Sequence, residues 1–200
     1  WKRVTGVQTC ALPISGYAVP VLMDSYQLVG ESLGVTRSAE AIVINPKTWA
    51  IVYRGPVAGA QAALDAFLAG KAVPASVAST GGAPIAFAPR DATKISYARD
   101  VAPILEAKCV ACHQEGGIGP FAMSSYDMVK GFSPMIREVI RTDRMPPYNA
   151  DPHVGKFSDN KNMTAAEIRT LVHWIEAGAP RGEGVDPLGG KKHVAAEWPL

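Results

Sequence analysis

The sequence predicts an α+β chain, in which a partial α/β segment is followed by a small all-α domain. Three observations predict it. Short apolar and β-branched runs fall between residues 18 and 53. Helical spacing without strand patterns governs the chain after residue 95. Between them, residues 71–94 (KAVPASVASTGGAPIAFAPRDATK) are rich in Ala, Pro, Ser and Gly with little periodicity, and read as a linker.

In the first part, Ala18–Met23 (AVPVLM) reads as a buried strand. Asp24-Ser25 are placed to cap a helix with Leu28, Val29 and Leu33 on its apolar face, and Gly34 ends it. Ala41–Ile44 and Ala50–Tyr53 are strand-forming runs joined by Asn45-Pro46-Lys47-Thr48-Trp49, the pattern of a hairpin. Gln61–Leu68 carries Leu64, Phe67 and Leu68 at helical spacing and stops at Gly70. The order over residues 16–70 is strand, helix, strand, strand, helix.

In the second part, Asp100 is placed to cap a helix that tolerates Pro103 in its first turn, with Val101, Ile104 and Leu105 as its apolar stripe. Ser133-Pro134 opens another helix with Ile136, Val139 and Ile140 on one face. Thr164-Ala-Ala-Glu167 has the form of a capping box, and Ile168, Leu171, Val172 and Ile175 come after it until Gly178 and Pro180 stop the helix. Three short helices in under a hundred residues supply few apolar side chains for a core, so a flat apolar group in the middle would complete it.

Composition excludes several classes. A 48% hydrophobic content, 20 basic against 18 acidic residues and no apolar run of membrane-spanning length give no membrane span. A net charge of +2 without a Lys/Arg stripe or a set of stacking aromatics argues against a nucleic-acid partner.

The chemistry lies in Cys109-Val110-Ala111-Cys112-His113, a CxxCH motif at the end of a helix. One turn sets two thiols at the spacing of the vinyl groups of a haem and leaves the adjacent imidazole to ligate the iron, which gives one covalent haem c. Three other readings compete. A zinc site needs further ligands, and His153, His173 and His193 are far apart in sequence. A dithiol redox pair normally comes after a strand, at a helix N-terminus, and this pair comes after a helix. A disulfide between residues three apart is strained.

The iron needs a sixth ligand, from Met123, Met128, Met135, Met145, Met163 or a second histidine. His173 lies opposite the apolar stripe of its helix and reads as a solvated residue. His193 sits in a polar tail, and Met135 reads as core filler beside Ile136. Met145 heads Met145-Pro146-Pro147-Tyr148, where proline confines the preceding residue and a second proline stiffens the loop, so a thioether is presented at low entropic cost. Met145 is the first choice, with His153 and an open or other sixth site as the alternatives.

Two resemblances rest on these residues. "YARDVAPILEAKCVACHQEGGIGPFAM" and "RMPPYNADPHVGKFSDNKNMTAAEIRTLVHWIEAGAP" resemble the c-type cytochrome domain found beside redoxin domains and ahead of copper-dependent monooxygenase domains in some bacterial proteins, over residues 95–187. The resemblance implies Cys109 and Cys112 as thioether anchors, His113 as proximal ligand and Met145 as distal ligand. Trp174 matches a position that packs the last helix near the haem, and equally suits an ordinary core aromatic. Arg141 and Arg144 are candidates for haem propionates, or else solvated charges. Residues 16–70, with "VPVLMDSYQLVGESLGVTRSAEAIVINPKTWAIVYRGPV", resemble the C-terminal half of a thioredoxin-fold redoxin of the peroxiredoxin kind. The half with the reactive cysteine is missing, and Ala39 stands where such domains usually carry a cis-proline.

The implied function is electron transfer by one haem c with His/Met ligation, handing electrons to a redox partner protein or a neighbouring domain, with no catalytic residues in these 200 positions. The alternative is the haem module of a multidomain oxidoreductase, a copper-dependent monooxygenase or thiol peroxidase, whose catalytic residues lie elsewhere. Haem c attachment implies a periplasmic or otherwise exported bacterial protein. Val4–Ile14 looks like one translated frame of a widely used short-read sequencing adapter, so residues 1–15 are set aside as an artefact, Cys10 with them, and residues 188–200 read as a truncated tail. An incomplete redoxin half is expected to leave a sheet edge open within residues 16–70.

Overall fold

A computed structural model of the chain describes residues 24–78, 81–87, 91–147, 155 and 160–190. The expected strand at 18–23 lies outside the described residues. Among the described residues, helices and one antiparallel hairpin both occur, as an α+β chain requires. The chain divides into two compact units: Gln27–Pro89, and the helical unit from Arg90 onward, to which Tyr26 also belongs.

In the first unit, α1 (Leu28–Ser32) is a single short helix that buries Leu28 and leaves Val29 exposed. Its cap is Gln27 in a left-handed conformation and not Asp24 or Ser25, because the five-residue helix starts later than the apolar pattern suggests. Strands β1 (Glu40–Ile44) and β2 (Ile51–Pro56) pair antiparallel, with Ala41 opposite Gly55 and Val43 opposite Tyr53, and a register shift between Val43 and Ile44. The connection is closed by Asn45: its Oδ1 accepts the Lys47 N–H at 2.9 Å, its carbonyl accepts the Trp49 N–H at 2.8 Å, and Trp49 turns left-handed.

Helix α2 (Val57–Leu68) begins four residues before the expected Gln61, directly after Pro56, whose fixed φ suits a helix entry. The face it buries is not the expected one. Leu68 is 73% exposed and Leu64 is exposed too, while Ala63 is fully buried. Small residues mark the inner side because Tyr53 projects there: a Cβ on Gly59 would collide with the Tyr53 hydroxyl, which donates to the Pro56 carbonyl at 3.0 Å. The stretch expected to be a linker makes ordered backbone bonds within this unit. Val77 N–H bonds Arg54 O at 3.1 Å, and Arg54 N–H bonds Ser76 Oγ at 2.9 Å. Ser38 N–H and Ile85 N–H bond Ala83 O and Thr36 O. The edge of β2 is thus met in part by residues 76–77.

The helical unit opens with a wide turn, Tyr97–Val101, that runs into α3 (Ala102–Lys108). Asp100 does not cap α3. Ser96 caps the wide turn that leads into it: its hydroxyl accepts the Arg99 N–H, and Asp100 reaches back to accept the Ser96 N–H at 2.7 Å. The first helical turn therefore starts four residues ahead of the periodic stripe. Helix α4 (Tyr126–Gly131), capped by the Ser125 hydroxyl, was not legible from apolar spacing because it is only six residues long. Helices α5 (Ser133–Arg141) and α6 (Ala165–Glu176) begin where the sequence places them, and the Thr164/Glu167 capping box is formed in both directions.

The core of this unit gathers Tyr97, Val101, Leu105, Val129, Ile136, Ile140, Ile168, Leu171, Val172 and Trp174. Tyr97 meets Tyr126 edge-on at 5.0 Å between ring centres and Trp174 at 5.7 Å. The polar ends of two of these aromatics are satisfied by the chain that leaves α6: Trp174 Nε1–H donates to Pro180 O at 2.8 Å and Tyr126 O–H to Ala179 O at 2.7 Å. Ordered packing runs on to Leu188, which is buried. No helix among the described residues is long and apolar enough to cross a membrane.

Candidate functional site

The site grows from the C-terminal end of α3. The Cys109 and Val110 N–H groups both bond Leu105 O, so the helix closes on itself there. The chain then makes one further turn: Cys112 N–H and His113 N–H both bond Cys109 O, at 3.1 and 3.0 Å. That turn brings Cys109, Cys112 and His113 together as the CxxCH spacing predicts. Both cysteines are free thiols, Cys112 exposed and Cys109 partly covered. Burial, with the neighbouring Cys112 and Glu167 adding to it, pushes the Cys109 thiol up to about 12.

His113 is 8% exposed, a buried imidazole that must find polar partners. Its Nδ1 lies 3.1 Å from the Phe121 carbonyl oxygen, which can only accept, so Nδ1 is the donor and Nε2 is the ring nitrogen left for a ligand. The loop that delivers this carbonyl wraps tightly around the motif. Gly119 N–H bonds Cys112 O at 2.8 Å and Met123 N–H bonds His113 O at 2.8 Å. A Cβ on Gly119 would lie 2.7 Å from His113 Nδ1, so a side chain there would push the ring aside.

Sequence reasoning missed Phe121 and Phe132. The Phe121 ring leans on His113 with 4.8 Å between centres and stacks on Phe132 at 3.9 Å and 15°. Phe132 is the residue from which α5 starts, so the stack ties the histidine loop to the helix that leads into the Met145 loop. Neither aromatic belongs to a periodic stripe. The signal within reach was the glycine pattern Gly116-Gly117-Ile118-Gly119, which marks a backbone folded close against its neighbours.

Met145 is half-buried in the loop after α5, and its N–H bonds Val139 O at 3.2 Å. Among the other sulfur candidates, Met123 is buried, Met163 half-buried and Met128 exposed. Met135 is 42% exposed and is not core filler, because Ile136 and Ile140 occupy the inner face of α5. His153 and His193 lie outside the described residues. His173 is not solvated as expected: α5 packs against α6, and its half-buried ring has Nδ1 3.9 Å from Glu176 Oε2.

The two arginines considered for propionates are engaged within the protein. Arg141 pairs with Glu176 at 3.1 Å, alongside Arg137, and Arg144 pairs with Glu138. Among the described residues, no group of three or more His, Cys, Asp and Glu side chains gathers as a metal site. No protein-family model, curated protein or solved structure matches this chain.

Proposed function

We propose that the helical unit is an electron-transfer module holding one covalent haem c. The observation that carries the reading is the His113 arrangement: two free thiols and an imidazole on one turn, with the ring's Nδ1 donating to the Phe121 carbonyl. An imidazole prepared in this way is what an iron ligand requires, since the partner of the distal nitrogen sets tautomer and ring orientation.

Cys109 and Cys112 would form the thioethers, His113 would be the proximal ligand, and Met145 the distal one. When bound, a haem c supplies an iron that gains and loses a single electron. The protein's own part is positional. The bare Gly119 leaves room for the His113 ring, and the Phe121 ring, stacked on Phe132, packs against one side of it. Haem c attachment implies an exported, periplasmic setting, and the hairpin unit reads as the remaining half of a redoxin.

The test is a spectroelectrochemical titration of the haem-loaded chain. Reversible one-electron cycling with overlapping oxidative and reductive branches supports an electron carrier. Iron that does not cycle reversibly would leave a haem-binding module without that function.

A further inference from the structure

Tyr26 precedes the hairpin unit in the chain, yet its contacts lie in the helical unit. Its phenol O–H donates to Asp143 Oδ1 at 2.7 Å, a bond across 117 residues of sequence. Its backbone carbonyl accepts from Arg169 Nη1 of α6 at 3.1 Å. Side chain and main chain of this one residue thus link α6 to the loop after α5.

That loop is the one that presents Met145. Asp143 sits at φ 51, the left-handed turn that ends the helix. The next two residues, Arg144 and Met145, donate their N–H groups to one carbonyl, Val139 O, at 2.8 and 3.2 Å. The loop is held on one side by Val139 and on the other by Tyr26. Burial, then the hydrogen bond to Asp143 and its charge, raises the Tyr26 phenol well above its ordinary range, so the O–H remains a donor wherever the protein is folded.

We propose that Tyr26 is a positioning residue for Met145, acting through Asp143 as a strap that restrains the ligand loop against α6. This rests on Met145 as the distal haem ligand. A thioether is a weak, neutral ligand that exchanges when its loop opens, so restraining the loop suppresses replacement of sulfur by outside ligands. Tyr26, ahead of the hairpin unit in the chain, then serves the haem site.

The test uses the full chain loaded with haem c, as wild type, Tyr26→Phe and Asp143→Asn. Asparagine keeps an acceptor oxygen and tolerates left-handed backbone. Two quantities are read: the imidazole concentration that abolishes the sulfur-to-ferric-iron band, and backbone amide exchange at Arg144 and Met145 relative to Leu171 in α6. In Tyr26→Phe the imidazole midpoint should fall about tenfold and exchange at the two loop amides should rise by a similar factor, with α6 unchanged, as expected for one lost charge-assisted hydrogen bond. Asp143→Asn keeps the acceptor but loses the charge, so it should fall between wild type and Tyr26→Phe. An unchanged midpoint and unchanged loop exchange in Tyr26→Phe would overturn the strap, and so would acceleration spread evenly over α6. A band that survives Met145→Ala would instead overturn the ligand assignment, and this proposal with it.

Discussion

The Nδ1 of His113 sits 3.1 Å from the carbonyl oxygen of Phe121, and this contact organises the residues around the CxxCH motif. The carbonyl fixes the tautomer, and the Phe121 ring beside it packs against the same imidazole. One residue therefore supplies both the polar and the apolar restraint on the histidine.

Gly119 permits that contact. In Gly119→Ala the new methyl would lie 2.7 Å from His113 Nδ1 and 2.9 Å from Cys112 O. The ring or the loop must shift, at a cost of ~1–3 kcal/mol typical of an overpacked site. Urea unfolding should show that loss, and the haem-loaded variant should show an altered low-spin signature. Wild-type stability would refute the close approach.

The Phe121–Phe132 stack should be measurable as a coupling. A double-mutant cycle with leucine at each position should give an interaction free energy of about 1 kcal/mol, the usual worth of an aromatic pair beyond its buried area. Additive single effects would mean that the two rings act independently.

The two thiols should differ in the haem-free chain. Cys112 is exposed, whereas Cys109 is partly covered and burial raises its thiol pKa, which keeps it protonated near neutral pH. Iodoacetamide should label Cys112 at least about tenfold faster than Cys109, read peptide by peptide by mass. Equal rates would show that the turn opens freely.

Asp100 should contribute a pH-dependent term. The bond from the Arg99 guanidinium, supported by the Ser96 N–H, holds its carboxyl below the ordinary value, with desolvation opposing. A folded pKa below the unfolded one stabilises the protein above the ordinary carboxylate range, and that contribution is lost as pH falls through the folded value. The stability gap between wild type and Asp100→Asn should therefore be larger at about pH 7 than at about pH 3. A constant gap would contradict the account.

How much could be read from the sequence depends on how local each signal is. The hairpin, α6 with its Thr164/Glu167 box, and α5 behind Ser133-Pro134 rest on neighbours within a few residues, and they form as expected. The motif turn at 109–113 is equally local. Helix α4 is too short for periodicity to reveal, and α2 buries Ala63 and not the leucines its spacing pointed to, on a helix where Tyr53 leaves no room for a side chain at Gly59. The restraints on His113 and on the Met145 loop come from Phe121, Phe132 and Tyr26. These are tertiary contacts, and no spacing rule connects them to the residues they hold.

The most direct measurement is an optical spectrum of the full chain produced with a haem c maturation system, recorded oxidised, reduced and in alkaline pyridine. The account predicts a haem c pyridine spectrum that survives denaturation, is absent in the Cys109→Ala/Cys112→Ala variant, and accompanies a sulfur-to-ferric-iron band that disappears in Met145→Ala. A chain that matures without covalent haem would contradict it and leave the CxxCH turn to other chemistry.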